Sequence, residues 1–209
     1  MTALPETPVI PETKDELIAQ IVEMEWPMFT TVHDTAGRAL CQDDKQTFVI
    51  MRTSQFMAWD VETLRRYFKD VYTAQMSKQN LMTYKYGYMM EFTHPDEYDI
   101  IKDELPHVNL WKRQLVIAIV RQQIKWYIEV TQKYPNILHK GRPIRQSQAH
   151  LGDTSFEAYL RCELYTYSYE TLEALWRYMQ HLKADGRNLN EDILLNTARL
   201  YGFDSIAAL

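Results

Sequence analysis

The chain has 209 residues, 46% of them hydrophobic and 24% charged, with a net charge of -5. That is enough for one domain with a full core, or at most two small ones, in an ordinary soluble composition. The acidic balance, six glycines without a GxGxxG or P-loop pattern, and the lack of any long apolar run weigh against a nucleic-acid binder, a phosphate-cradling loop and a membrane span.

In chain order, residues 1–12 read as a disordered or extended lead-in. Their prolines, and the absence of a basic stretch before an apolar one, do not suit a signal peptide. Cys41 and Cys162 lie far apart and fit a reducing cytoplasm. The run Thr13-Lys14-Asp15-Glu16 is a capping box and predicts a helix to about Trp26, where Pro27 should disrupt it. After a loop through Gly37, Asp43-Asp44 can cap a helix over 45–58, Asp60 one over 61–76, and Asn80 one over 81–93. Pro95 suits the first turn of a short helix over 95–104, which Pro106 ends. A long helix spans 108–133 and stops before Pro135; a polar loop follows over 135–153. Thr154 starts a helix to about 166, Ser168 caps one to about 184, and Asn190 caps the last, to about 201. No strand alternation or repeat persists. The expectation is a single all-α domain over 13–209, a bundle of about seven to nine helices.

Laid on helical wheels at about 100° per residue, three helices are conventionally amphipathic. The 61–76 helix turns Val61, Leu64, Phe68, Val71 and Tyr72 inward, 169–184 does so with a leucine-rich stripe, and the last buries Ile193, Leu194, Leu200 and Tyr201. Four others place a charge inside an apolar face. Glu25 lies among Leu17, Ile18, Ile21 and Val22; Arg52 among Phe48, Val49, Phe56 and Trp59, with Gln55 beside it. Lys85 is surrounded by Leu81, Met82, Tyr86 and Met89, and Glu163 by Phe156, Tyr159, Leu160 and Tyr167. Gln123 is a milder case on the long helix. The 45–58 helix is apolar almost all round, as expected of a central element.

A buried charge must be paired or used. The four sum to zero, so they can neutralise one another around one interior site. Two readings follow. In the first, Glu25–Arg52 and Lys85–Glu163 are ion pairs that only specify packing. In the second, the charges line a polar pocket together with Gln55, Tyr86, Gln123, Tyr159 and Tyr167. Arg52 would then bind a carboxylate or phosphate. Lys85 would be a second anion contact, or a base or nucleophile if burial lowers its pKa. Glu163 and Glu25 would orient the cations or move protons.

Weaker signals are Cys41 before a helix N-terminus, with His33 as the nearest base, and the basic loop 139–145, which could cover an anionic ligand. Glu91-x-x-His94 and Glu104-x-x-His107 match carboxylate–histidine spacing in di-iron bundles, but they are close together and broken by prolines. Tyrosines (14) and methionines (10) are abundant; the cluster Tyr84, Tyr86, Tyr88, Met89, Met90 reads as core.

The segments Glu25-Trp26-Pro27-Met28-Phe29, Cys41-Gln42-Asp43, Phe48 through Gln55, Asn80-Leu81-Met82 with Lys85-Tyr86, and Thr154 through Leu164 with Thr166-Tyr167-Ser168 together resemble an uncharacterised bacterial family. It is number 4125 in the domain-of-unknown-function series, and the likeness covers about residues 15–203. The resemblance implies a bacterial origin and a stand-alone soluble domain, and transfers no catalytic residue. The expected function is a small-molecule binding protein or enzyme for an anionic ligand, with no cofactor specified. The alternatives are a non-catalytic helical interaction domain and a metal-dependent bundle oxygenase using Glu91, His94 or His107.

Overall fold

Polar side chains start eight of the nine α-helices in the computed structural model, which describes residues 8–32, 39–140, 142–150 and 152–209, with the side chains of 138–140 also left aside. The helices are α1 (Lys14–Thr30), α2 (Lys45–Met57), α3 (Val61–Met76), α4 (Leu81–Thr93), α5 (Pro95–Ile101), α6 (Leu110–Lys133), α7 (Phe156–Leu164), α8 (Tyr169–Ala184) and α9 (Leu189–Leu200). Short 3-10 turns lie at Leu40–Asp43, Pro135–Lys140, Gln146–Gln148 and Ile206–Ala208, and no strand occurs among the described residues. His33, Gly37, Gly141, residues 1–7 and the side chains of His139 and Lys140 lie outside what is described. Ahead of α1, Pro11 is buried and Ile10 packs against the core.

The capping box of α1 is closed in both directions, Glu16 N–H to Thr13 Oγ1 at 3.2 Å and Thr13 N–H to Glu16 Oε2 at 3.1 Å. Asp44, Asp60, Asn80, Asn109, Ser155, Ser168 and Asn188 each accept an N–H of the first turn. These side chains satisfy donors that a helix cannot satisfy itself. Only α5 lacks a side-chain cap, and there Pro95 fills the first turn.

Several expectations need correction. Pro27 does not end α1. It sits in the exposed last turn, and its carbonyl accepts from Thr31 N–H at 3.2 Å and Thr31 Oγ1 at 2.7 Å, so the helix closes on a capped turn at Thr30. The cap of α9 is Asn188; Asn190 is buried and donates to the Gln123 carbonyl at 2.8 Å. Leu200 and Tyr201 are exposed, and Ile193 and Leu194 are half-buried. The buried face of α9 is Leu189, Asn190, Thr197 and Ala198, because its polar groups find backbone partners such as Ile193 O for Thr197 Oγ1. On α2, Met51 and Met57 are exposed, so this helix is not central; it packs between α1 and α9 and keeps an outer strip.

The bundle has one core. α1 lies against α2, α3 and α4, while α6 lies against α7, α8 and α9; α3–α8, α2–α9 and α4–α7 contacts join the two groups. Leu17, Ile21, Phe56, Leu64, Val71, Val116, Ile119, Leu172, Leu175 and Met179 are buried at its centre. This burial of apolar surface is the main stabilising term. No helix among the described residues is long and apolar enough to cross a membrane.

Candidate functional site

The four misplaced charges meet. Glu25 from α1, Arg52 from α2, Lys85 from α4 and Glu163 from α7 are 1%, 8%, 3% and 6% exposed, and they form one chain of ion pairs. Arg52 grips Glu25 with two parallel bonds, Nε to Oε2 at 2.7 Å and Nη2 to Oε1 at 2.6 Å. This is the bidentate fork that makes arginine–carboxylate pairs strong. Arg52 Nη1 reaches Glu163 Oε1 at 2.8 Å, and Lys85 Nζ reaches Glu163 Oε2 at 2.8 Å. Glu163 therefore bridges the two expected pairs.

Neutral groups complete the network. Gln55, one helical turn from Arg52, accepts from Arg52 Nη1 at 2.9 Å and donates to Glu163 Oε1 at 3.3 Å. Tyr167, in the turn after α7, donates to Glu163 Oε1 at 2.6 Å. Tyr67, from α3, donates to Glu25 Oε1 at 2.6 Å and accepts from Arg52 Nη2 at 3.4 Å. The wheel reading passed over Tyr67 because a tyrosine on an otherwise ordinary amphipathic helix looks like core. Its phenol was the available signal, since a buried hydroxyl needs a partner. The Tyr67 and Tyr167 rings pack with centroids 4.5 Å apart, and Trp59 meets both edge-on.

Counting donors shows where the network is closed. A guanidinium has five N–H groups. All of those on Arg52 are directed at Glu25, Glu163, Gln55 and Tyr67. Lys85 has three, of which one goes to Glu163. Its ammonium also lies 3.6 Å from the centroid of the Tyr159 ring and 5.8 Å from that of Tyr86. Arg142 stands 5.1 Å from the same Tyr159 ring and bonds Thr154 Oγ1. Gln55, Tyr86 and Tyr159 are half-buried, so this end of the network approaches the surface. Gln123 is buried on α6, but it makes no hydrogen bond to the four charges.

The electrostatics follow from the pairing. Burial alone would push the Glu163 carboxyl up, but Arg52 and Lys85 hold it well below the usual carboxylate range. Burial alone would lower Lys85, yet the Glu163 carboxylate outweighs it and raises the amine above its ordinary value. Arg52 is raised in the same way by Glu163 and Glu25 against its own desolvation. Burial drives the phenols of Tyr67 and Tyr167 well above the usual range, with the neighbouring carboxylates adding to it. Tyr86 is pushed up to about 12, by burial first and then by Tyr159.

The weaker sequence signals stay apart from this network. Cys41 is exposed, while its neighbour Gln42 turns inward to bond the Phe29 and Val32 carbonyls at the end of α1. Glu91, His94, Glu104 and His107 are all exposed. Among the described residues no three of His, Cys, Asp and Glu gather as a metal site. Two surface grooves lie elsewhere: an apolar one of about 520 Å³ between α1 and α2, and a polar one of about 490 Å³ near the α2–α3 turn. No charge of the network lines either groove.

One family profile, described as "Protein of unknown function (DUF4125)", matches residues 15–209. No curated protein and no solved structure matches the chain. The matched span includes all four helices that carry the ion network, and the chain belongs to the DUF4125 family.

Proposed function

We propose that the protein binds a small anionic molecule, a carboxylate or a phosphate, at the Lys85 end of the ion network. One observation carries this reading: Lys85 spends one of its three N–H donors on Glu163 and turns the rest of its ammonium to Tyr86 and Tyr159, where the network approaches the surface. Arg142 adds a second positive charge against the Tyr159 ring. In this reading Arg52 and Glu25 brace the site, since their hydrogen-bonding capacity is turned inward. Glu163 orients Lys85, and Tyr86, Tyr159 and Gln55 flank the ligand. The raised pKa values of Lys85 and Tyr86 keep both protonated at neutral pH. That favours hydrogen bonding to an anion, or proton donation, over attack by a free amine. A bacterial, cytoplasmic setting accompanies the proposal.

A second reading rests on the saturation of Arg52: the network is a structural clasp that specifies how α1, α2, α4 and α7 pack. Calorimetric titration with small carboxylates and phosphates, using the native protein and Lys85→Met, separates the two. The ligand reading expects saturable binding that weakens about tenfold or more in the variant, the worth of one charge-assisted hydrogen bond. No saturable binding that depends on Lys85, with Lys85→Met losing about 3–5 kcal/mol of stability, is the outcome of the clasp.

A further inference from the structure

The polar groove of about 490 Å³ has a charge arrangement that the ion network does not explain. It lies where the start of α1, the α2–α3 turn, α8 and α9 come together, and its walls include Lys14, Trp59, Asp60, Arg187, Asp192 and Arg199. Three cations face two carboxylates, and both carboxylates are engaged. Asp60 Oδ1 accepts the Thr63 N–H at 3.0 Å as the cap of α3, and Asp192 Oδ2 accepts from Arg187 Nη2 at 2.7 Å.

The cations have capacity to spare. The Arg199 guanidinium has no protein partner among the described residues, although it stands on the groove wall. Arg187 spends one Nη on Asp192 and also bonds the Tyr178 phenol, which leaves part of its five-donor fork for a ligand. Lys14 is half-buried and donates to the Met57 carbonyl, at the end of α2, at 2.8 Å. Burial lowers its pKa, Asp60 and Asp15 oppose that, and the Arg187 charge adds to it, so an anion here would favour the charged amine.

We propose that this groove is a second ligand site, which takes a small oxyanion, carboxylate or phosphate, through Arg199, Arg187 and Lys14. The guanidinium fork matches two oxygens of either group, and the ammonium supplies a point charge. The groove is distinct from the Lys85 end of the network and shares no residue with it. Trp59 is a groove wall on one side and packs edge-on to Tyr67 and Tyr167, away from the Lys85 end of the network, on the other. Its indole N–H is therefore a local reporter.

The test is an NMR titration of the full chain with orthophosphate and, separately, with succinate, following backbone amides and the Trp59 indole. Native protein, Arg199→Glu and Lys85→Met are compared. Arg199 is exposed, so its replacement leaves the fold intact and the amide spectrum shows it. The proposal expects saturable shifts at Trp59 and in the first turn of α1. They should persist in Lys85→Met and weaken about tenfold or more in Arg199→Glu. The stronger of the two probes names the ligand class. Shifts at the groove that Arg199→Glu leaves unchanged, or no saturable shifts there with either probe, overturn it. Shifts confined to the Lys85 end would overturn this proposal while supporting the other site.

Discussion

Arg52 is the hub of the interior, and its environment explains why four charges can be buried together. Each ion taken from water costs several kcal/mol, and only close, well-aligned partners offset that cost. Here two cations and two anions alternate at 2.6–2.8 Å, and Tyr67, Tyr167 and Gln55 complete their remaining hydrogen bonds. Glu163 is the second hub, since it holds Arg52 on one oxygen and Lys85 on the other. Glu163→Gln leaves both cations short of charge, and we expect it to lose about 3–5 kcal/mol in urea denaturation. A loss under about 1 kcal/mol would mean that the pairs are as weakly coupled as surface ones. The wheels located all four charges, because a charge inside an apolar arc stands out. They could not show that Glu163 bridges the pairs, since distances between helices are not written in any one helix. Tyr67 and Asn190 escaped for a related reason: a polar group that faces inward and is satisfied by another element carries no local sign of its partner.

Helix boundaries were readable where the cap is a side chain acting within its own turn. Thr13, Asp44, Asp60, Asn80 and Ser168 are such cases. They were misread at Pro27 and Asn190, where hydrogen bonds outside the rule decide: Thr31 rescues the Pro27 carbonyl, and Asn188 takes the cap while Asn190 reaches across to α6. The α4 helix illustrates a constraint of another kind. Gly87 is buried there, and a Cβ on it would lie 2.7 Å from Leu105 Cδ2 and 3.4 Å from Cδ1. The segment after α5 thus rests directly on the α4 backbone, two residues from Lys85. Gly87→Ala sets an overpacking cost of about 1–3 kcal/mol against a helix-propensity gain of about 1 kcal/mol. We expect a net loss of up to about 2 kcal/mol, read by chemical denaturation; a more stable variant would show that Leu105 yields freely.

Because the network spans α1, α2, α4 and α7, its protonation bears on the stability of the entire bundle. The folded pKa of Glu163 is depressed, so its contribution is complete above its ordinary value of 4.5 and is lost as pH falls through the lowered one. The folded pKa of Lys85 is raised, so its contribution is complete below 10.5 and is lost as pH rises through the higher value. Unfolding free energy should therefore be flat, as far as these groups decide it, from above 4.5 to below 10.5, with losses at both ends. Glu163→Gln should shrink the acid loss, and Lys85→Met the alkaline one; unchanged limbs in both variants would show that other groups set the profile. The fold class was legible because helical periodicity and capping signals agree along nearly the entire chain. The approach of Arg142 to the Tyr159 ring beside Lys85 was not, because these residues come from three separate parts of the sequence, and spare donors appear only after every hydrogen bond is assigned. The most direct test is a native mass spectrum of the protein equilibrated with a mixture of small carboxylates and phosphates, beside Lys85→Met treated identically. One more bound ligand on the native protein than on the variant is the result we predict, since the groove at Arg199 is intact in both. Equal numbers of bound ligand on the two proteins, or none on either, would contradict a ligand site at Lys85.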